Sequence, residues 1–239
     1  MFDGFLRVAA ATPDIRVADC NFNGASAAAL VSEAYEQGVS LLVLPELCLT
    51  GYTCSDLFLQ ESLLDGAGKA LLTLTEATRD KNMVVLAGLP LTVNGVLYNV
   101  AAVLHDGDIL GFVPKSYLPT YSEFYEGRHY HSGADIEADV LFNGRTYPFG
   151  TRLLFRCRQM PAFTLGIEIC EDLWVAQPPS ISHALAGATV IANLSASDET
   201  TGKDIYRRSL VSGQSARLVC GYIYADAGEG ESSTDLVFG

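Results

Sequence analysis

The chain reads as an α/β protein built on mixed β-sheet. Three observations predict this. Apolar runs of four to seven residues recur, and several are followed by segments of helical periodicity. Two runs are joined by "HDGD" (105–108), whose Asp-Gly is a hairpin signal, so part of the sheet is antiparallel. No internal repeat or low-complexity linker divides the 239 residues, a length that suits one large domain or two small ones and is enough to bury a sizeable core.

In order, "FLRVAAAT" (5–12) predicts a first buried strand. Asp3 and Arg7 interrupt the apolar N-terminus, so it is not a signal peptide. Ala, Leu and Val recur with polar partners over 24–37, a helix ending before Gly38. "VSLLVLPEL" (39–47) is a buried strand, 58–80 a second helix and "MVVLAGLPLTV" (83–93) another strand. Residues 94–115 form the hairpin around "HDGD". Residues 118–150, rich in aromatics, Gly and charges, read as a long loop followed by short strands; long ordered loops often carry function. Strands follow at 163–170, 188–197 and 218–228. The helix predicted at 203–217 carries Arg207, Arg208 and Arg217 on what reads as a solvated face. "ESSTDLVFG" (231–239) starts a strand and breaks off, so a longer polypeptide is expected.

Composition excludes several classes. Apolar residues make up 49 % and charged residues 18 %, a globular balance. Fifteen Lys plus Arg stand against 28 Asp plus Glu, and a net charge of −13 repels phosphate backbones and anionic membranes. No basic cluster rises above that field, which sets nucleic acid aside, and no run reaches the ~20 apolar residues of a membrane span. The six cysteines (20, 48, 54, 157, 170, 220) include no CxxC pair, and with four His no zinc-site spacing appears. Reduced thiols in a cytoplasmic setting, and no metal, are the expectation. GxxxxGK[ST] and GxGxxG are both missing. "GEGESS" (228–233) has Asp226, Glu229 and Glu231 within or beside it and reads as a loop, not a phosphate nest.

Chemistry gathers where buried strands end, at "LPELCLTGY" (44–52), "VPKSYLPTYSEFYE" (113–126) and "GIEICEDLW" (166–174). These supply Glu46, Lys115 and Cys170. Singly, each has an ordinary explanation: a helix-start carboxylate, an exposed lysine, a core thiol. Glu168 and Glu171 beside Cys170 oppose its ionisation. Together the three residues form a chemical set. A thiol attacks a carbonyl only as thiolate and needs a base, which a desolvated Glu46 can be. Lys115 and the N–H after the nucleophile can hold the oxyanion, and Lys115 offsets the negative neighbours.

Glu, Lys and Cys in this chain order resemble the catalytic triad of the nitrilase superfamily. More narrowly, "YLPTYSEFYE", "CEDLW", "NLSAS" and "AGEGESSTDLVF" resemble the amino-terminal glutaminase domains of glutamine-dependent NAD synthetases, over essentially the whole chain. The resemblance implies a four-layer αββα sandwich with mixed sheets, residues 1–239 forming one glutaminase domain. It implies hydrolysis of glutamine to glutamate and ammonia, with Cys170 as nucleophile, Glu46 as base and then acid, Lys115 at the oxyanion and Glu126 in support. Carried over residue by residue, Tyr52, Tyr121, Phe124, Glu171, Ser197 and Lys203 line the substrate pocket, Lys203 standing where the family often has Arg. Glu171 suits an α-ammonium, Lys203 an α-carboxylate and the aromatics an aliphatic stem; loop packing for Tyr121 and Phe124, and a surface position for Lys203, are the plain alternatives. The domain itself needs no cofactor. ATP and Mg belong to a synthetase domain of the same polypeptide, which amidates nicotinic acid adenine dinucleotide, and homo-oligomers are expected. Another amidase of the superfamily, or a non-catalytic docking domain, are the competing functions.

Overall fold

Apolar strands alternate through most of the chain with helices, three of which run to 16 or 17 residues. The computed structural model describes residues 4–232 and 235–238. A seven-stranded sheet has the order β1 (Val8–Ala10), β2 (Leu41–Val43), β3 (Val84–Val93), β4 (Val96–His105), β5 (Asp108–Pro114), β7 (Arg145–Gly150), β6 (Glu137–Phe142). β1, β2 and β3 run parallel, β3–β4–β5 form an antiparallel meander, and β7 is parallel to β5 and antiparallel to β6. A four-stranded sheet has the order β11 (Gly221–Ala225), β10 (Val190–Leu194), β9 (Thr164–Ile169), β8 (Phe155–Arg156), with only β8 antiparallel. Both sheets are mixed, as the hairpin signal requires of the first.

Three antiparallel connections are Asx-Gly pairs with both residues left-handed: Asn94-Gly95 (φ 51° and 78°), Asp106-Gly107 (49° and 76°) and Asn143-Gly144 (47° and 75°). That backbone matches the right-handed twist of the flanking strands, and Gly and Asn or Asp adopt it at least cost.

The inner faces of the two sheets pack on each other through Leu41, Val43, Leu86, Ala101 and Val103 from one and Leu165, Ile167, Ile169, Ala192 and Leu194 from the other. Helices α1 (Cys20–Glu36) and α2 (Glu61–Ala77) cover the outer face of the large sheet, burying Ala27, Val31, Ala67, Leu71 and Leu74 against Leu42, Val85, Ala87 and Leu89. On the small sheet, α4 (Pro179–Leu185) and α5 (Lys203–Leu218) bring Ala184 and Leu218 against Ala188, Ile191 and Cys220. The architecture is a four-layer αββα sandwich. Each fully buried Leu, Ile or Val in these layers contributes about 1.5–3 kcal/mol relative to exposure.

Several local expectations change. The first strand is a partly exposed edge strand and not a buried one, because β1 pairs on one side only. Helix α1 starts four residues early because Asp19 caps it, accepting from the Phe22 N–H at 3.1 Å. Helix α2 is shorter than predicted at both ends, and a separate 3₁₀ turn, Ser55–Leu59, precedes it. Arg207 does not lie on a solvated face. Its guanidinium turns inward to pair with Glu199 and with Asp226 Oδ2 at 3.3 Å, while Arg208 and Arg217 are exposed. At the end of the chain no strand forms among the described residues. Leu236 makes an isolated bridge and Phe238 packs edge-on against Tyr52; Ser233, Thr234 and Gly239 lie outside the described residues. No helix among the described residues is long and apolar enough to cross a membrane.

Candidate active site

β2, β5 and β9 end on the same side of the two-sheet core, and the three strand-end segments meet there. After β2 the chain turns at Pro45 and crosses the neighbouring strand β3. The crossing is so close that a Cβ on Gly88 would stand 2.2 Å from Leu47 N and 2.7 Å from Glu46 Cα. Leu47 takes a left-handed φ of 51° to complete the turn. Glycine at 88 is therefore what allows the Glu46 carboxylate to reach the site floor.

That floor is a closed set of charges. Lys115 and Glu46 are fully buried, and Glu126, the first residue of the single-turn helix α3 (Glu126–His129), is nearly so. Lys115 Nζ donates to Glu46 Oε1 at 2.7 Å and to Glu126 Oε1 at 2.6 Å. Asn99 Nδ2 donates to Glu46 Oε1 at 2.6 Å, the Ala196 N–H to Glu46 Oε2 at 3.0 Å and Tyr52 OH to Glu126 Oε1 at 2.7 Å. Burial works against the Lys115 ammonium, but Glu126 and Glu46 outweigh it and hold its pKa well above the ordinary lysine value. Burial pushes Glu126 up to about 7, against the pull of Lys115. Three of the four lone-pair positions of Glu46 are occupied, which leaves capacity on Oε2.

Cys170 follows β9, with a left-handed φ of 45° that opens a short 3₁₀ turn, Cys170–Leu173. Its N–H donates to Asn193 Oδ1 at 3.1 Å. Burial and then Glu46 raise the thiol pKa well above its ordinary value, while Lys115 and the Ser195 hydroxyl oppose them. Glu46 is thus the charged group that weighs most on Cys170. Glu168 faces elsewhere, accepting from Tyr222 OH at 2.5 Å and from the Ser180 N–H at 2.8 Å. A thiol held protonated this way becomes a nucleophile only when a base takes its proton.

Above the floor lies a looser ring of side chains. Tyr121, 55 % exposed, donates through its OH to Glu171 Oε2 at 3.0 Å. Its ring meets Phe124 edge-on at 5.9 Å. Lys203 Nζ pairs with Asp198 and stands over the rings of Trp174 at 5.4 Å and Phe124 at 6.0 Å. Ser197 is buried, its N–H donating to Asp226 Oδ1 at 2.8 Å. Tyr121, Phe124, Glu171 and Lys203 are therefore brought together. Tyr52 joins ring to floor: its ring meets Phe124 edge-on at 6.4 Å while its OH is bonded to Glu126. A cavity of about 290 Å³ is lined by Leu47, Tyr52, Phe58, Glu126 and Tyr130. No group of three or more His, Cys, Asp or Glu among the described residues is placed to hold a metal ion.

Sequence reasoning passed over Asn99, Asp172, Asn193, Ser195 and Asp198. Asn193 and Ser195 lie in "NLSAS", so the strand-end rule that found Glu46 could have found them. Asn99 had a fainter signal, a single amide inside the apolar run "YNVAAV".

A model of the carbon-nitrogen hydrolase family matches residues 7–225. The chain is 47 % identical over 235 residues to a glutamine-dependent NAD(+) synthetase of Mycobacterium tuberculosis, covering 98 % of this chain and 35 % of the relative. It is 34 % identical over 208 residues to the corresponding synthetase of Thermotoga maritima, covering 87 % and 33 %. It spans about a third of the length of these curated relatives. Among solved structures, a glutamine-dependent NAD(+) synthetase from Cytophaga hutchinsonii superposes with a TM-score of 0.84 at 31 % identity, over 94 % of this chain and 36 % of that one. An amidase from Nesterenkonia sp. shares the fold, with a TM-score of 0.74 at 20 % identity, over 98 % and 79 %.

Proposed function

This chain belongs to the carbon-nitrogen hydrolase family, and on that premise we propose that it hydrolyses the side-chain amide of glutamine and supplies the ammonia to a synthetase domain. The observation that carries the reading is the buried Lys115 ammonium bonded to both Glu46 and Glu126 beside the strand-end thiol of Cys170. Identity of 47 % to a glutamine-dependent NAD(+) synthetase supports the choice of glutamine.

Glu46 takes the Cys170 proton as sulfur attacks the amide carbon. The resulting oxyanion is held by Lys115 Nζ and the Glu171 N–H, the latter in the first turn of a 3₁₀ segment where backbone donors lack intrahelical partners. Glu46 returns its proton to the amide nitrogen, the C–N bond breaks, ammonia leaves, and a γ-glutamyl thioester remains on Cys170. Water, deprotonated by Glu46, adds to the thioester, and the thiol leaves with that proton. Glu126 keeps Lys115 charged and aimed, so the ammonium meets the oxyanion without reorganising. Glu171 takes the α-ammonium of glutamine and Lys203 the α-carboxylate, while Phe124 and Tyr121 flank the methylenes. ATP and Mg are required at the synthetase site that consumes the ammonia, which converts nicotinic acid adenine dinucleotide to NAD.

Glutamate release from glutamine tests the reading in the native protein and in Cys170→Ala. The variant is expected to lose hydrolysis while its Tm falls by only a few degrees, since one sulfur contributes ~1–2 kcal/mol. Hydrolysis retained in a folded Cys170→Ala protein overturns the assignment.

A further inference from the structure

Lys115 and Cys170 come from different sheets: one follows β5 of the large sheet, the other β9 of the small one. The apolar side chains between the sheets resist separation, but such contacts are non-directional and do not fix a register between two loop backbones. The backbone hydrogen bonds of Lys115 and Cys170 stay within their own layers, and the polar link through Glu46, which bonds the Ala196 N–H and Ser195 O beyond β10, holds neither of those two backbones. The Lys115 N–H donates to Asn99 O at 2.9 Å, and Gly133 N–H donates to Lys115 O at 2.8 Å. On the other side, Cys170 N–H is held by Asn193 of β10.

Asp172 joins the two. Its carboxylate is 1 % exposed and accepts three backbone N–H groups. Oδ1 takes the N–H of Ser116 at 3.0 Å and of Tyr117 at 2.8 Å; Oδ2 takes the N–H of Ile169 at 2.9 Å. Two of these donors directly follow Lys115 and the third directly precedes Cys170. One rigid, planar group therefore grips the backbone on either side of the gap. It also returns from two residues beyond Cys170 to the residue before it, which closes the turn around the left-handed Cys170. A left-handed backbone at a residue with a side chain persists only where its surroundings over-determine it.

We propose that Asp172 is a positioning residue that clamps the Lys115 segment to the Cys170 segment and so sets the separation of ammonium and thiol. The inference rests on the reading of Cys170 as nucleophile and Lys115 as oxyanion partner. Asp172 touches no substrate; it acts through the two backbones it holds. An apolar residue could fill the same space, but it would leave three buried N–H groups unpaired.

Asp172→Asn keeps the shape and turns one acceptor into a donor facing an N–H. In the full protein we expect kcat for glutamine to fall ~10- to 100-fold with KM within about threefold, the scale of a loss caused by misplacement of about an ångström. The pH dependence of Cys170 alkylation by iodoacetamide, followed by mass spectrometry, gives the decisive sign. A displaced Lys115 moves the alkylation midpoint up, whereas loss of a nearby negative charge alone moves it down. Glu168→Gln serves as the comparison: that carboxylate is equally buried and accepts from Ser180 and Tyr222, away from the gap, so it should lower Tm and leave the midpoint in place. A native kcat in Asp172→Asn, a downward midpoint, or equal effects in Glu168→Gln overturns the clamp. Cys170→Ala measured alongside separates the failures: activity retained there removes the underlying reading, while an inactive Cys170→Ala beside a fully active Asp172→Asn removes the clamp alone. If Asp172→Asn does not fold, hydrogen exchange in the native protein decides. Tyr117 and Ile169 N–H should share one protection factor within about threefold, and a difference above tenfold sinks the proposal.

Discussion

The floor of the site and its mouth are built by opposite means. At the floor, Glu46, Lys115 and Glu126 are at most 4 % exposed and bonded to one another, to Asn99, to Tyr52 and to the Ala196 N–H. At the mouth, Tyr121 is 55 % exposed and Glu171 is reached by a single hydroxyl. A buried charge is tolerated only where its partners are complete, so the floor is rigid by necessity. The mouth has no such requirement, and its groups are free to exchange their present partners for a ligand. On the proposed function, chemistry that must be preorganised sits where desolvation enforces geometry, and recognition sits where solvent lets groups move.

The sharpest way to break this contrast is Lys115→Met. Removing the shared cation leaves two carboxylates buried together, and breaking a buried pair costs about 3–5 kcal/mol. Hydrolysis should be lost and Tm should fall by roughly 6–20 °C, at 2–4 °C per kcal/mol for a domain of this size. Differential scanning calorimetry and glutamate release measure both. A stable, inactive variant would mean that the floor charges serve catalysis without holding the fold.

Gly88→Ala tests the backbone approach that delivers Glu46. The added methyl collides with the backbone of Glu46 and Leu47, which no flexible side chain can relieve. The Glu46 carboxylate should shift by several tenths of an ångström, and kcat should fall ~10- to 100-fold while KM stays near native. An unchanged kcat would show that the floor tolerates movement after all.

How far the sequence carried these regions follows the same division. Glu46, Lys115 and Cys170 were legible because strand ends are legible: apolar runs stop, and the next reactive side chain is one of these three; Glu126, also on the floor, came from the resemblance. The hairpin at Asp106-Gly107 was legible by its turn residues, and Asn94-Gly95 and Asn143-Gly144 carry the same signal. Helix α4 was not foreseen, since seven residues are too few to show a period. Arg207 was misjudged because its partners, Glu199 and Asp226, lie on other elements, and helix periodicity knows nothing of them. Asp172 left no signal because its partners are backbone N–H groups, identical at every position but proline. The mouth residues Tyr121 and Lys203 came from resemblance alone; in isolation they look like loop and surface.

At the mouth, Glu171→Gln should raise KM for glutamine about 10- to 150-fold, the equivalent of a charge-assisted hydrogen bond worth ~1.5–3 kcal/mol, with a smaller effect on kcat. Propionamide and butyramide have no ammonium to lose and should show no added penalty. Equal losses for glutamine and the simple amides would place Glu171 with the floor instead.

The smallest effect separates the two regions by pH. Glu126 has its pKa raised from 4.5 to about 7 in the folded protein, chiefly by burial. Its folded state therefore binds a proton more tightly than the unfolded chain. The associated stability is complete below the unfolded value, near 4.5, and is lost as pH rises through about 7. Glu126→Gln cannot release that proton, so its Tm relative to the native protein should climb by a few degrees between pH 5 and 7.5. Glu171 is also raised by burial, but it is only half-buried and is helped by the Tyr121 hydroxyl. Glu171→Gln should accordingly show a flatter Tm difference over the same interval. Thermal melts of both variants at half-unit pH steps make the comparison directly. Equal slopes would mean that solvent reaches Glu126 as easily as Glu171, and the contrast between a sealed floor and an open mouth would not hold at the carboxylate that anchors Lys115.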